Sequence, residues 1–260
     1  MVWSIFEHNN QFVDIERIEV DNIPCLRFRP KGLEGSMPTV LYYHGWHSSK
    51  EFQRFKGMTI ASFGYQVIAP DAIYHGEREP IDYDAPGMLE KYFWEIVLQT
   101  VDESDDILNT VIDDHQADPD RIGIMGSSMG GFIASGIFVK HPELRCLVNF
   151  NGSCAYLKAV EVERKMKVSE LSTSDFEKIQ HLIEYDPMEY IDHLKGRPIL
   201  MLHGDSDSSV PIEIQRFFYE KLSPLYEESD KIKLIEAPKM DHYISVGMLE
   251  KGVEWLKIYL

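Results

Sequence analysis

The run Gly126-Ser127-Ser128-Met129-Gly130 matches the pattern G-x-S-x-G, with Ser128 at its centre. A serine placed this way can attack an acyl carbonyl, provided a base takes its proton and an acid orients the base. Five residues alone are weak evidence, and the flanks give them weight. Arg121-Ile-Gly-Ile-Met125 reads as a short apolar strand, and the run from Gly131 to Val139 as a helix rich in small residues. A strand turning sharply into a helix strains the central serine, and Gly126 and Gly130 leave room for that turn. The helix start beneath Ser128 offers unpaired amides to a developing negative charge.

Two later segments can complete an acyl-transfer site. Leu202-His-Gly-Asp-Ser-Asp-Ser-Ser-Val-Pro211 follows an apolar run and carries two carboxylates, Asp205 and Asp207; Asp241-His242-Tyr243 follows another. The order Ser, Asp, His is that of an α/β-hydrolase sheet. His242 is the candidate base, and both Asp205 and Asp207 are candidate acids. An oxyanion hole needs two backbone donors: Met129, just after the nucleophile, and one from the loop Leu41-Tyr-Tyr-His-Gly-Trp46, where Trp46 is expected. The Trp46 and Trp94 side chains are expected as substrate-binding pocket walls. His44, His75 and His203 each precede a glycine and read as loop-fixing residues.

Metal ligation is the rival chemistry, through His44-x-x-His47 or His203-x-Asp205-x-Asp207. Neither segment reads as the helix of an H-E-x-x-H site and no cysteine cluster joins them, so no metal is expected. The chain lacks G-x-G-x-x-G and G-x-x-x-x-G-K-[ST], so no nucleotide or other cofactor is expected either.

These groups must be held by a framework, and the apolar pattern supplies one. Strands are expected at Ile15–Val20, Ile23–Pro30, Pro38–His44, Tyr65–Pro70, Arg121–Gly126, Arg145–Asn151, Pro198–His203 and Ile232–Ala237. Asp21-Asn22 joins the first two as a hairpin. Later strands are separated by helical stretches, which implies a mainly parallel sheet covered on both faces. The clearest helix runs from Met88 to His115, with apolar residues on one face and a solvated acidic face opposite. Residues 153–195 exceed the needs of one crossover and read as a small helical cap inserted in a single domain, with helices over 158–167, 174–184 and 188–194 and a break at 169–174.

Composition narrows the partners. The chain has 260 residues, 44% of them hydrophobic, and a net charge of −17. That size and composition suit one α/β domain, and the acidic surface argues against nucleic acid and anionic membranes as partners. The first basic residue is Arg17, so no secretory leader is expected, and no apolar run reaches the roughly 18 residues of a membrane span. Cys25, Cys146 and Cys154 show no C-x-x-C spacing and read as reduced thiols of a cytoplasmic protein. The spacing leaves the oligomeric state open.

From Ile15 to Leu260 the chain resembles small bacterial carboxylesterases of the α/β-hydrolase superfamily, in the dienelactone-hydrolase and prolyl-oligopeptidase-like branch. The resemblance rests on Tyr43-His-Gly-Trp46, Pro70-Asp-Ala-Ile-Tyr-His-Gly76, Phe93-Trp-Glu-Ile-Val-Leu-Gln99, Asp118-Pro-Asp-Arg-Ile-Gly-Ile-Met-Gly-Ser-Ser-Met-Gly-Gly131, His203-Gly-Asp-Ser-Asp-Ser-Ser-Val-Pro211 and Asp241-His242. It implies an α/β-hydrolase fold with an eight-stranded, mainly parallel sheet. It also implies Ser128 as nucleophile, Asp207 rather than Asp205 as acid, His242 as base, and Trp46 and Met129 as oxyanion amides. The serine departs from the cysteine chemistry of true dienelactone hydrolases. The absence of a propeller-length N-terminal segment argues against oligopeptidase size gating. The resulting expectation is a serine hydrolase of short-chain carboxylic esters. A peptidase or thioesterase using the same triad is the alternative within enzymes, and a non-catalytic binding module is the alternative outside them.

Overall fold

Apolar side chains alternate along the strands, and that alternation sets the layers. The computed structural model describes residues 11–167 and 180–260. Among the described residues eight strands form one sheet: β1 (Val13–Val20), β2 (Ile23–Pro30), β3 (Met37–Tyr43), β4 (Gln66–Pro70), β5 (Ala117–Ser127), β6 (Leu147–Phe150), β7 (Ile199–Gly204) and β8 (Ile232–Ala237). Their spatial order is β1-β2-β4-β3-β5-β6-β7-β8. β1 pairs antiparallel with β2, and β2 with β4, while β3 to β8 run parallel. Asp21 and Asn22 both take positive φ, 47° and 62°, as a two-residue hairpin of type I′ requires.

β4, β6 and β7 are buried at every position, as a parallel sheet covered on both faces demands. Leu41, Tyr43, Ile122, Ile124, Ile199 and Met201 join one core. Its helices are α2 (Met88–Asp102), α3 (Ser104–Asp113), α4 (Met129–Lys140), α5 (Tyr156–Lys167) and α6 (Ile212–Leu222). Val40, Tyr42, Met125, Leu200 and Leu202 join the opposite core, under α1 (Arg54–Ala61) and α7 (Val246–Tyr259). This is the α/β-hydrolase fold. No helix among the described residues is long and apolar enough to cross a membrane.

The single helix expected over 88–115 is two helices, broken at Glu103. The carbonyls that would accept the next amides are engaged elsewhere. The Lys140 ammonium donates to Val101 O and Asp102 O at 3.2 and 3.1 Å, and the Ser104 hydroxyl to Val101 O at 2.6 Å. Glu103 is meanwhile held by a two-point pair with Arg78.

Of residues 153–195, the structure describes α5 (Tyr156–Lys167), the short turns Pro187–Tyr190 and Ile191–Leu194, and the last residues of the helix expected over 174–184. The expected break at 169–174 and most of that helix lie outside the described residues. Asp186 ties the two ends of the segment together. Its carboxylate accepts from the Tyr156 and Leu157 amides at the start of α5 and from Met188, the satisfaction that a helix N-terminus needs. Tyr156 itself is fully buried, with its hydroxyl on Phe132 O at 2.6 Å.

The sheet registers align the strand ends that matter. Tyr43 pairs with Gly126, Ser127 with Phe150, Phe150 with Leu202, and Gly204 with Ala237. The loops after β3, β5, β6, β7 and β8 therefore leave the sheet along one edge, where ligands bind in open α/β sheets.

Candidate active site

Ser128 stands between β5 and α4 with φ 56° and ψ −123°, a conformation that L-residues rarely adopt. Its amide donates to Phe150 O at 2.9 Å, and its carbonyl accepts from Gly131 and Phe132. The turn is possible because its glycines lack side chains. A Cβ on Gly126 would overlap the Gly130 carbonyl, and one on Gly130 would overlap the Tyr43 carbonyl. α4 is buried from Met129 to Val139, so small residues let it lie close on the sheet.

The loops after β7 and β8 bring their groups to this turn. The Ser128 hydroxyl lies 2.8 Å from His242 Nε2, and His242 Nδ1 lies 2.7 Å from Asp207 Oδ2. Donation from Nδ1 to the carboxylate leaves Nε2 free to accept the serine proton. Asp207 is the carboxylate that meets His242. Asp205 points elsewhere, accepting from the Lys239 amide at 2.7 Å and the Ser206 hydroxyl at 2.8 Å.

Asp207 is surrounded by donors. Oδ1 accepts from the Ser209 and Val210 amides at 2.9 and 2.8 Å, and His203 Nε2 approaches Oδ2 at 3.3 Å. Burial on its own pushes this carboxyl up. The bonds from His203, His242 and Val210 outweigh burial and hold it well below the usual carboxylate range. Asp207 thus stays charged beside the imidazole.

The loop after β3 lies against the serine. A Cβ on Gly45 would stand 3.1 Å from Ser128 Cβ, so the backbone leading to Trp46 passes directly over the turn. Met129 opens α4, and its amide is one of those that a helix start leaves without an intrahelical carbonyl. The Trp46 ring meets His75, Tyr83 and His47 edge-on or tilted. Trp94 sits within α2 and packs against Phe93, Phe132 and Tyr156 at centroid distances of 5.1 to 5.6 Å. Phe132 is four residues beyond Ser128, which places this second ring group one helical turn from it.

Two of the three loop-fixing histidines hold backbone groups of their loops. His44 Nδ1 donates to Gly45 O at 2.9 Å while Nε2 accepts from the Ala72 amide at 3.1 Å, and His75 Nδ1 donates to Ile73 O. His203 does more, since it donates to Val210 O at 2.8 Å and also touches Asp207. Spacing missed a buried ion cluster beneath the Trp46 loop. Lys50, 1% exposed, contacts Asp71 and Glu77 at 2.7 Å each, and Asp71 also accepts from the Lys50 and Glu77 amides. It pins the loop after β3 to the loop after β4. Spacing also missed Asn151 and Asp241, which hold the His242 loop. The Asn151-Gly152 pair at a strand end is the one signal that could have marked Asn151, because such pairs favour left-handed backbone.

Comparison with known proteins fits this geometry. The sequence model of the prolyl oligopeptidase family matches residues 99–259, from α2 through the serine turn to the His242 loop and α7. The chain belongs to the prolyl oligopeptidase family. The chain is similar to esterase YjfP of Escherichia coli (strain K12), 29% identical over 255 residues, covering 95% of this chain and 100% of that protein. It is also similar to the uncharacterized peptidase YuxL of Bacillus subtilis (strain 168), 24% identical over 226 residues, covering 84% of this chain and 33% of that protein. Among solved structures, TT1662 from Thermus thermophilus superposes with a TM-score of 0.76 at 23% identity, covering 95% of this chain and 97% of that one. This family member has the α/β-hydrolase fold and is a serine hydrolase of esterase or peptidase type.

Proposed function

We propose that the protein hydrolyses short-chain carboxylic esters through an acyl-enzyme on Ser128. The observation that carries this reading is the unbroken chain Ser128 Oγ, His242, Asp207, with links of 2.8 and 2.7 Å. His242 Nε2 takes the hydroxyl proton as Oγ attacks the acyl carbon. The tetrahedral oxyanion is held by the Met129 and Trp46 amides, and Asp207 balances the imidazolium. His242 then protonates the leaving alkoxide. Water, deprotonated by His242, releases the acid and restores Ser128.

The two ring groups around Trp46 and Trp94 support a small acyl pocket with residues 153–195 as its cap, and the start of α5 packs on α4 through Tyr156 and Phe132. Each buried methylene adds about 0.8 kcal/mol until the space is filled. Esters lead over amides because the similarity to YjfP spans its whole length, whereas YuxL is covered over a third of its own. The test is kcat/KM across p-nitrophenyl esters from acetyl to palmitoyl, with aminoacyl amides and acyl thioesters alongside. Acetyl to butyryl should be fastest and palmitoyl nearly inert. A maximum at octanoyl or beyond contradicts the small pocket, and amides or thioesters turning over faster than any ester contradict the ester reading.

A further inference from the structure

We infer that Asn151 is a positioning residue for His242: its side-chain amide fixes the loop that carries the imidazole. Asn151 follows β6 and is 2% exposed, with φ 47°, a left-handed conformation that asparagine tolerates better than most residues. Two strands and the His242 loop meet at it. Its backbone amide donates to Leu202 O in β7 at 2.9 Å. Its side-chain Oδ1 accepts from the Gly204 amide at the end of β7, at 3.0 Å. Its Nδ2 donates at 2.9 Å to the carbonyl of Tyr243, the residue after His242.

The imidazole must meet Ser128 and Asp207 at once, from a residue on a loop rather than on the sheet. Its ring can do so only if the backbone on both sides is held. On the near side Asp241 Oδ1 accepts from the His242 amide and from the Ser208 amide, both at 2.8 Å. That anchors the His242 loop to the Asp207 loop. On the far side Tyr243 is 58% exposed, and the Asn151 amide ties its carbonyl to the end of β6. The fit is close, since a Cβ on Gly204 would overlap the Met240 carbonyl. Freeing Tyr243 O therefore lets the base drift from the serine without unfolding the strands beneath.

This inference rests on His242 being the base of the proposed reaction, and two variants separate the bonds. Asn151→Gly keeps the left-handed backbone and removes both side-chain bonds. Asn151→Asp keeps the acceptor for Gly204 but sets a carboxylate oxygen against the Tyr243 carbonyl. Both are compared with the wild-type enzyme for p-nitrophenyl acetate kinetics and for the rate of fluorophosphonate labelling of Ser128, well below their melting temperatures. Misplacing a base by about 1 Å costs on the order of 100-fold. Both variants should therefore lose roughly 10- to 100-fold in kcat and in labelling rate, with KM within about threefold. A labelling rate equal to wild type in both variants overturns the inference, whatever their melting temperatures. So does an Asn151→Asp that reacts as fast as wild type while Asn151→Gly is slow, because the tie to Gly204 would then be the one that matters. A wild-type enzyme that resists labelling sinks the proposed function instead.

Discussion

His203 Nε2 lies 3.3 Å from Asp207 Oδ2, the same oxygen that His242 Nδ1 reaches at 2.7 Å. Two imidazoles therefore converge on one carboxylate oxygen. The single Nε2 proton is donated to Val210 O at 2.8 Å, so His203 acts on Asp207 by holding the loop that carries it and by turning a polar N–H edge towards its carboxylate. His203→Phe keeps an aromatic ring and removes both, so a loss of roughly 10-fold in kcat is expected. Steady-state kinetics of the purified variant measure it. An unchanged kcat would make His203 a tie for Val210 alone.

The serine turn makes a steric prediction. Gly130→Ala drives a methyl into the Tyr43 carbonyl, whereas a Cβ on Gly247 meets nothing nearer than 3.9 Å, the Ser245 hydroxyl. Overpacking of this kind costs about 1–3 kcal/mol or more, and here it also shifts the turn that carries Ser128. Gly130→Ala should melt well below wild type and lose activity. Gly247→Ala, in the first turn of α7, should be neutral or stabilise by roughly 0.5 kcal/mol. Thermal melts and ester hydrolysis of the two variants decide it.

Acid stability follows from buried imidazoles and paired carboxylates. Burial, reinforced by its neighbour His75, holds His44 below the ordinary imidazole range. The unfolded chain titrates there at about 6.5, so between that pH and the lower folded value it binds the extra proton. Stability is complete above that window and falls as pH drops through it. A second loss follows below about 4, where the carboxyls of the unfolded chain take up protons while the depressed Asp207 and the Arg17- and Lys50-paired Glu77, held near 2, stay charged in the fold. The melting temperature should be flat from neutral to mildly alkaline pH and decline in two stages on acidification, and His44→Gln should delay the first stage. A variant that declines in step with wild type contradicts the assignment.

The sheet and the serine were legible because they depend on local pattern. β-branched alternation gave the strands to within a few residues, and the glycines around Ser128 had a steric reason that the overlaps at Gly126 and Gly130 repeat. Spacing alone left Asp205 and Asp207 equal, and the family resemblance chose between them. What stayed hidden depends on partners far along the chain. Asn151 meets Tyr243 92 residues later, and Lys140 splits α2 from α3 across 38 and 39 residues. No window of sequence contains such a contact. His203 reads as a loop-fixing residue because it precedes Gly204, while its approach to Asp207, four residues on, depends on how that loop closes.

The central claim is that Ser128 is the nucleophile, activated through His242 by Asp207. Intact mass and peptide mapping after fluorophosphonate treatment test it most directly. Wild type should gain one adduct, mapped to Ser128 rather than Ser127. Ser128→Ala should gain none while melting like wild type. Asp207→Asn should label slower by orders of magnitude, because the imidazole loses its oriented tautomer, and Asp205→Asn should label at close to the wild-type rate. An adduct on Ser127 or any other residue, or full labelling of Ser128→Ala, would contradict the account.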